Sequence, residues 1–141
     1  MELPDRLTGR VAFALQLALL RAQRMGQAAL DGLGLQGREY GLLALLEDGP
    51  LVRQHELGAV LGMDRTTTAK LVRGLVDRGL VVRRRAPDDA RTLVLALTPT
   101  GDRLRAEAAA VLAECDDAFL APLPPSERDR LHAALRHLAS G

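Results

Sequence analysis

Residues 57–97 read LGAVLGMDRTTTAKLVRGLVDRGLVVRRRAPDDARTLVLAL, and the hydrophobic period changes part-way along. Over residues 64–78 the positions Thr68, Leu71, Val72, Leu75 and Val76 recur at steps of three and four, the spacing of a helix with one covered face. Asp64 is a competent N-cap for that helix. Gly79 is a stop, because glycine takes positive φ without a Cβ clash. Beyond it, residues 80–85 and 91–97 are short, aliphatic and β-branched around a polar stretch at 86–90, which predicts a β-hairpin with a five-residue tip. Upstream, residues 52–61 predict a helix with Leu57, Val60 and Leu61 on one face, and Gly62 and Met63 leave room only for a tight turn. Helix, turn, helix and hairpin in that order predict a winged helix-turn-helix.

The outward face of the second helix carries Thr66, Lys70, Arg73 and Asp77 at i, i+4, i+7 and i+11, flanked at its start by Arg65 and Thr67. Hydroxyls and cations there suit base edges and phosphates in a major groove. A plain solvated face is the alternative, and the adjoining hairpin weighs against it. Arg84 and Arg85 enter the hairpin tip. Arg91 leaves it, placed to reach a minor groove, where narrow stretches concentrate negative potential. Asp89 cannot favour phosphate. It is expected to orient a cation, Arg91 or Arg78, with capping of the turn as the alternative. The expected DNA-contacting set is Arg65, Thr66, Thr67, Lys70, Arg73, Arg84, Arg85, Asp89 and Arg91.

Composition narrows the function. A chain of 141 residues suits one domain, 1–141, with a core of its own. Aromatic residues make up only 2%, which removes the stacking platforms used for RNA and single strands. The net charge of +1 hides a division: residues 64–91 hold 8 Lys and Arg against 4 Asp and Glu, while both flanking segments are net negative. Local basicity in a nearly neutral chain fits a polyanion-binding surface, with affinity falling as salt rises. One cysteine, Cys115, and no basic leader ahead of a cleavage site predict a reducing, cytoplasmic setting. Residues 11–20 are apolar except Gln16, but ten residues are about half a bilayer span, so a buried helix is expected and no membrane partner.

The rest of the chain reads as helices around this centre. Residues 6–30 predict one long helix with Val11, Ala14, Leu15, Ala18, Ala22 and Met25 on one stripe and Phe13, Leu17 and Leu20 on another. A helix apolar on two sides needs two covers, and the second is expected to be another subunit; packing of both stripes within one monomer is the alternative. Gly32 and Gly34 end that helix. A further helix over 38–48 uses Leu42, Leu43, Leu45 and Leu46 as core and stops at Gly49 and Pro50. Tyr40 is expected to pack and His55 to have no specific role. Thr98 before Pro99 marks a helix start, with Leu104, Ala108, Val111, Leu112, Cys115 and Phe119 as its stripe. Pro122, Pro124 and Pro125 force a break. Ser126 with Asp129 suggests a capping box for a last helix lined by Leu131, Ala134, Leu135 and Leu138. The expected organisation is mainly α with a small β-hairpin wing: dimerisation helices at 6–30 and 98–139 around a DNA-binding lobe at 36–97.

This order, with Leu97, Thr98, Pro99, Thr100 and Gly101 after the wing and Pro87, Asp88, Asp89, Ala90 and Arg91 at its tip, resembles the MarR family of bacterial regulators. The combined pattern of Leu57, Gly62, Leu71, Val72, Leu75, Gly79, Leu80, Asp89, Arg91, Leu97, Thr98 and Gly101 carries the resemblance. It implies an obligate homodimer, joined through its terminal helices, that binds a pseudo-palindromic double-stranded DNA operator and is often released by a small anionic or phenolic effector. A homodimeric, sequence-specific transcriptional repressor is therefore expected. Two positions depart from the pattern. Ala90 stands where the family commonly has a basic residue, and Val52 and Arg53 replace the usual hydroxyl N-cap. Cysteine-based peroxide sensors in the family carry their thiol near the N-terminus, whereas Cys115 lies on a late apolar stripe and is expected to be inert. No catalytic set, cofactor motif or metal spacing can be assembled, since His55, His132 and His137 are scattered. A winged-helix module that binds proteins instead of DNA is the competing function.

Overall fold

The computed structural model describes residues 2–47 and 52–141. The expected single helix at 6–30 is two helices, α1 (Asp5–Thr8) and α2 (Val11–Asp31). Gly9 donates its N–H to the Asp5 carbonyl at 2.7 Å, and Arg10 turns extended to start α2. α2 ends in a loop whose Gly34 has φ +66°. α3 (Gly37–Leu45) opens on a capping box in which the Gln36 side chain takes the Glu39 N–H and Glu39 takes the Gln36 N–H. Helical pairing ends at Leu45; the expected stop at Gly49 and Pro50, with Asp48, lies outside the described residues.

The helix expected at 52–61 begins later. Val52 and Arg53 form a short strand, β1 (Val52–Arg53), and α4 (Gln54–Leu61) follows with Arg53 as an N-cap that makes no side-chain cap. With no capping hydroxyl to start the helix earlier, these backbone groups pair instead with a strand of the wing. α5 (Arg65–Asp77) follows the turn, in which Gly62 has φ +64°. Past its end Gly79 has φ +70°, and Leu80 donates back to the Leu75 carbonyl at 3.0 Å, closing the helix. The wing is β2 (Val81–Arg85) and β3 (Leu93–Leu97). With β1 it makes a three-stranded antiparallel sheet in the order β1-β3-β2, registered by Arg53 opposite Val94 and Arg83 opposite Leu95.

α6 (Pro99–Leu120) starts where expected: the Thr98 hydroxyl accepts the Gly101 N–H at 3.0 Å and donates to the Gly79 carbonyl at 2.6 Å. α7 (Pro125–Ser140) starts one residue before the expected cap. Pro125 occupies its first turn, so Ser126 lies inside the helix and the predicted Ser126–Asp129 capping box does not form.

The core joins Leu30, Leu35, Leu42, Leu43 and Leu46 to Leu57, Val72, Leu75 and Leu95, with Ala108 of α6 closing it from above. Leu57 is fully buried and Leu61 half-buried as expected, but Val60 is 66% exposed and leaves the predicted face. α6 lies along α2, where Gly26 lets the Leu112 side chain sit close, and Cys115 is half-buried with its Sγ 3.6 Å from the Met25 carbonyl oxygen. Arg105 ties α6 to the end of α3 through Glu47 at 2.8 Å, and its own turn through Asp102 at 2.9 Å. Outside this core the apolar surface is uncovered. Val11 is 71% exposed and Leu138 66%; Phe13, Leu15, Leu17, Leu19, Leu20 and Leu135 are also exposed, and α7 has no buried residue. Among the described residues no helix is long and apolar enough to cross a membrane.

Candidate nucleic-acid interface

The first turn of α5 is built by one carboxylate. Asp64 Oδ1 accepts the Thr67 N–H at 2.7 Å, while the Thr68 hydroxyl turns back to the Asp64 carbonyl at 2.8 Å. The Thr67 N–H, and after it the Thr67 hydroxyl, hold the Asp64 carboxyl below the usual carboxylate range. Thr68 is thereby buried, and the helix is rotated so that Arg65, Thr66, Lys70 and Arg73 face solvent. Thr67 is half-buried and partly committed to the cap, which separates it from the other expected contacts. Arg65, Thr66, Ala69, Lys70 and Arg73 line one shallow groove.

In the wing, Ala86 donates to the Thr92 carbonyl at 2.9 Å and extends the ladder by one pair. The five-residue tip is therefore 87–91, one residue later than expected, because Ala86 is buried and paired. Asp89 closes it: Oδ1 accepts the Arg91 N–H at 3.0 Å and Oδ2 accepts the Thr92 hydroxyl at 2.7 Å. The Thr92 hydroxyl is the main reason that the Asp89 carboxyl lies below its usual range, followed by the Arg91 N–H. Both depressed carboxyls therefore keep their bonds above the ordinary carboxylate range, and these bonds are lost only as pH falls below it. The expected role of Asp89, holding a guanidinium, is corrected: it is a turn cap. Arg78 is held elsewhere, by Glu39 at 3.0 Å and the Gly34 carbonyl at 2.9 Å. Asp89→Ala is expected to leave the strands intact while the Arg91 amide, which loses its acceptor, exchanges with deuterium much faster. Unchanged protection of that amide would show that the carboxylate does not hold the tip.

The pleat sorts the arginine run. Arg83 and Arg85 lie opposite Leu95 and Leu93 on one face of the hairpin, and Arg84 lies opposite Val94 on the other. Arg85 folds over the tip and donates to the Ala90 carbonyl at 3.0 Å, so it braces the wing from within. Arg91 lies in the tip itself, ahead of β3. It meets Arg65 across an open cleft of about 440 Å³ whose walls include Gln54, His55 and Thr92. Sequence reasoning gave His55 no role, and only the tertiary fold places it beside those two arginines. Among the described residues no carboxylate pairs with Arg65, Lys70, Arg73, Arg84 or Arg91, so the groove and the cleft form one uncompensated cationic surface. Such a surface attracts phosphate and loses affinity with salt.

Comparison with known proteins follows the same lines. A family model described as the MarR family matches residues 33–92. The chain is 32% identical over 99 residues to a transcriptional regulatory protein ascribed to the hcr operon of Thauera aromatica; the match takes in 70% of this chain and spans 60% of that relative's length. The solved structure of the transcriptional repressor CouR bound to a 23-mer DNA duplex superposes with a TM-score of 0.88 at 30% identity, covering 99% of each chain. The PcaV transcriptional regulator of Streptomyces coelicolor, solved in complex with its natural ligand, superposes with a TM-score of 0.76 at 27% identity over 100% of this chain and 99% of that one.

Proposed function

Since this chain belongs to the MarR family of transcriptional regulators, we propose that it works in the cytoplasm as a homodimeric repressor, reading a pseudo-palindromic operator and leaving it when a small anionic or phenolic ligand binds. One observation carries the DNA-binding part: Arg65 at the start of α5 and Arg91 at the wing, both exposed and without a carboxylate partner among the described residues, line the same cleft. A cation from each of two elements, set side by side, suits a duplex whose backbone runs between a helix in the major groove and a wing in the minor groove. In this reading Thr66, Lys70 and Arg73 enter the major groove, with Thr67 at its edge. Arg65 and Arg84 take phosphates, Arg91 reaches the minor groove, and Arg85 and Asp89 shape the wing that carries it. The uncovered apolar faces of α2 and α7 support residues 6–30 and 98–139 as dimer arms, leaving 36–97 as the lobe that reads DNA. Two such lobes would set their recognition helices about one DNA turn, roughly 34 Å, apart. The ligand-bound neighbour supports the release step by analogy only.

Selection from a random duplex library supplies the test. The chain is expected to enrich a two-fold-related sequence, on which Arg73→Ala costs about 1–3 kcal/mol by fluorescence anisotropy and less on a duplex of scrambled sequence. Equal losses on both would reduce Arg73 to a phosphate contact. No enrichment at all would remove the operator-binding reading.

A further inference from the structure

We infer that Arg53 and Asp88, neither of them among the expected DNA contacts, form a positioning pair that fixes the wing's angle against the helix-turn-helix, so that Arg91 and Arg65 engage one stretch of duplex together. This rests on the DNA-binding reading above. Asp88 and Asp89 are neighbours in the wing tip with opposite tasks. Asp89 turns inward and caps the loop. Asp88 turns out of it and accepts Arg53 Nη2 at 2.8 Å, from a residue 35 positions earlier in the chain.

Arg53 is a fixed post. Its backbone is paired with Val94 of the central strand, its side chain is only 31% exposed, and the next residue begins α4, the first helix of the helix-turn-helix. The loop at 87–91 has little else to hold it. Its remaining side-chain bonds, from Arg85 to the Ala90 carbonyl and from the Arg91 N–H and the Thr92 hydroxyl to Asp89, all stay within the hairpin, and among the described residues β1 supports β3 at Val94 and Leu95. Among the described residues the Arg53–Asp88 bond is thus the one side-chain tie from the tip to another part of the lobe. A two-stranded ribbon twists readily about its long axis, and a tie at its far end removes that freedom. The tie also lands at the right place: Gln54 and His55, directly after Arg53, line the cleft in which Arg65 and Arg91 meet.

Charge alone predicts the opposite behaviour. Asp88 is 69% exposed on a cationic surface and would repel an approaching phosphate, so its neutralisation should tighten binding to any duplex. If it positions the wing, its neutralisation should weaken binding to the selected duplex. An exposed pair contributes little to stability, so the substitutions leave the fold intact and their effect is confined to the wing.

The experiment compares the unmodified chain with D88N, R53M and the double variant on the duplex selected above and on a scrambled duplex, by anisotropy across a range of salt, with hydroxyl-radical footprints. Each single substitution is expected to weaken binding to the selected duplex roughly three- to tenfold, and the double variant no more than the larger single, as partners in one contact require. D88N should keep the salt slope of the unmodified chain and lose footprint protection over the outer minor groove while retaining it over the central major groove. Tighter binding of D88N to both duplexes, with a slope steeper by about one as a freed Arg53 takes a phosphate, would overturn the inference, and so would an unchanged affinity. Failure of the unmodified chain to select any duplex is a different result and strikes the DNA-binding reading itself.

Discussion

Gly101→Ala should come close to abolishing stable folding. A Cβ at this position would lie 1.9 Å from the Leu80 carbonyl oxygen, 2.8 Å from its carbon and 3.1 Å from its Cα. All three are backbone atoms, and that backbone is pinned. The Leu80 carbonyl accepts the Thr98 N–H at 3.1 Å, and the Gly79 carbonyl accepts the Thr98 hydroxyl at 2.6 Å. α6 therefore rests its first turn directly on the link between the recognition helix and the wing. Making room for a methyl group means moving α6 away by more than an ångström, which breaks both bonds and uncovers Leu80 and Ala108, both now buried. We expect a loss of about 4 kcal/mol or more, a large part of the 5–15 kcal/mol that typically separates folded from unfolded chains. Melting should drop by about 10 °C or more at matched protein concentration. Gly74→Ala is the internal control. Nothing lies within 4 Å of its added methyl group and it sits inside α5, so it should raise stability by about 0.5–1 kcal/mol. Equal melting of the Gly101→Ala variant and the unmodified chain would mean that α6 slides freely on the wing, contrary to the packing seen.

The second large effect concerns assembly. Leu135→Asp combined with Leu138→Asp should convert a dimer into monomers at micromolar concentration by light scattering. Each buried leucine contributes about 1.5–3 kcal/mol, a carboxylate forced into the same place costs several more, and two-fold symmetry counts every substitution twice. The lobe should stay folded, because α7 contributes nothing to its core. Operator affinity should then fall by about two orders of magnitude or more, since two lobes that bind as one unit raise each other's effective concentration. A double variant that remains dimeric would place the interface elsewhere. A monomer with full affinity would show that DNA reading needs no partner.

The recognition helix and the hairpin were legible because their signals are local. Asp64 and Gly79 bound the helix within the stretch itself, and the change from a period near 3.6 to short aliphatic runs needs no tertiary information. What the sequence did not show is long-range. Arg53 with Asp88, Arg78 with Glu39 and Arg105 with Glu47 pair residues 35 or more positions apart, and no periodicity announces such pairs. β1 was invisible for the same reason: two residues become a strand only because β3 lies beside them. Asp89 was a case of two local chemistries competing. A carboxylate near an arginine can hold its side chain or its backbone, and the position of the Thr92 hydroxyl decided for the backbone. At α7 two consecutive prolines allowed an earlier start than the serine cap implied. Gly101 stood out as part of a pattern, yet its reason, a carbonyl lying where a Cβ would go, appears only in three dimensions.

The strand order has a consequence for solubility. β3 is flanked on both sides, but among the described residues β2 is an edge, with its outer row of N–H and C=O groups open along Val81–Arg85. An open edge is a template on which a strand of another molecule can add, and continued addition leads to aggregates. Three of the five residues on this edge are arginines in succession, exposed on alternate faces, so an identical edge approaching it meets like charge whichever way round it arrives. The same run of like charge should oppose the growth of one wing onto another. With the arginines in place, the exposed ladder is expected to stay unpaired in a concentrated solution of the free protein.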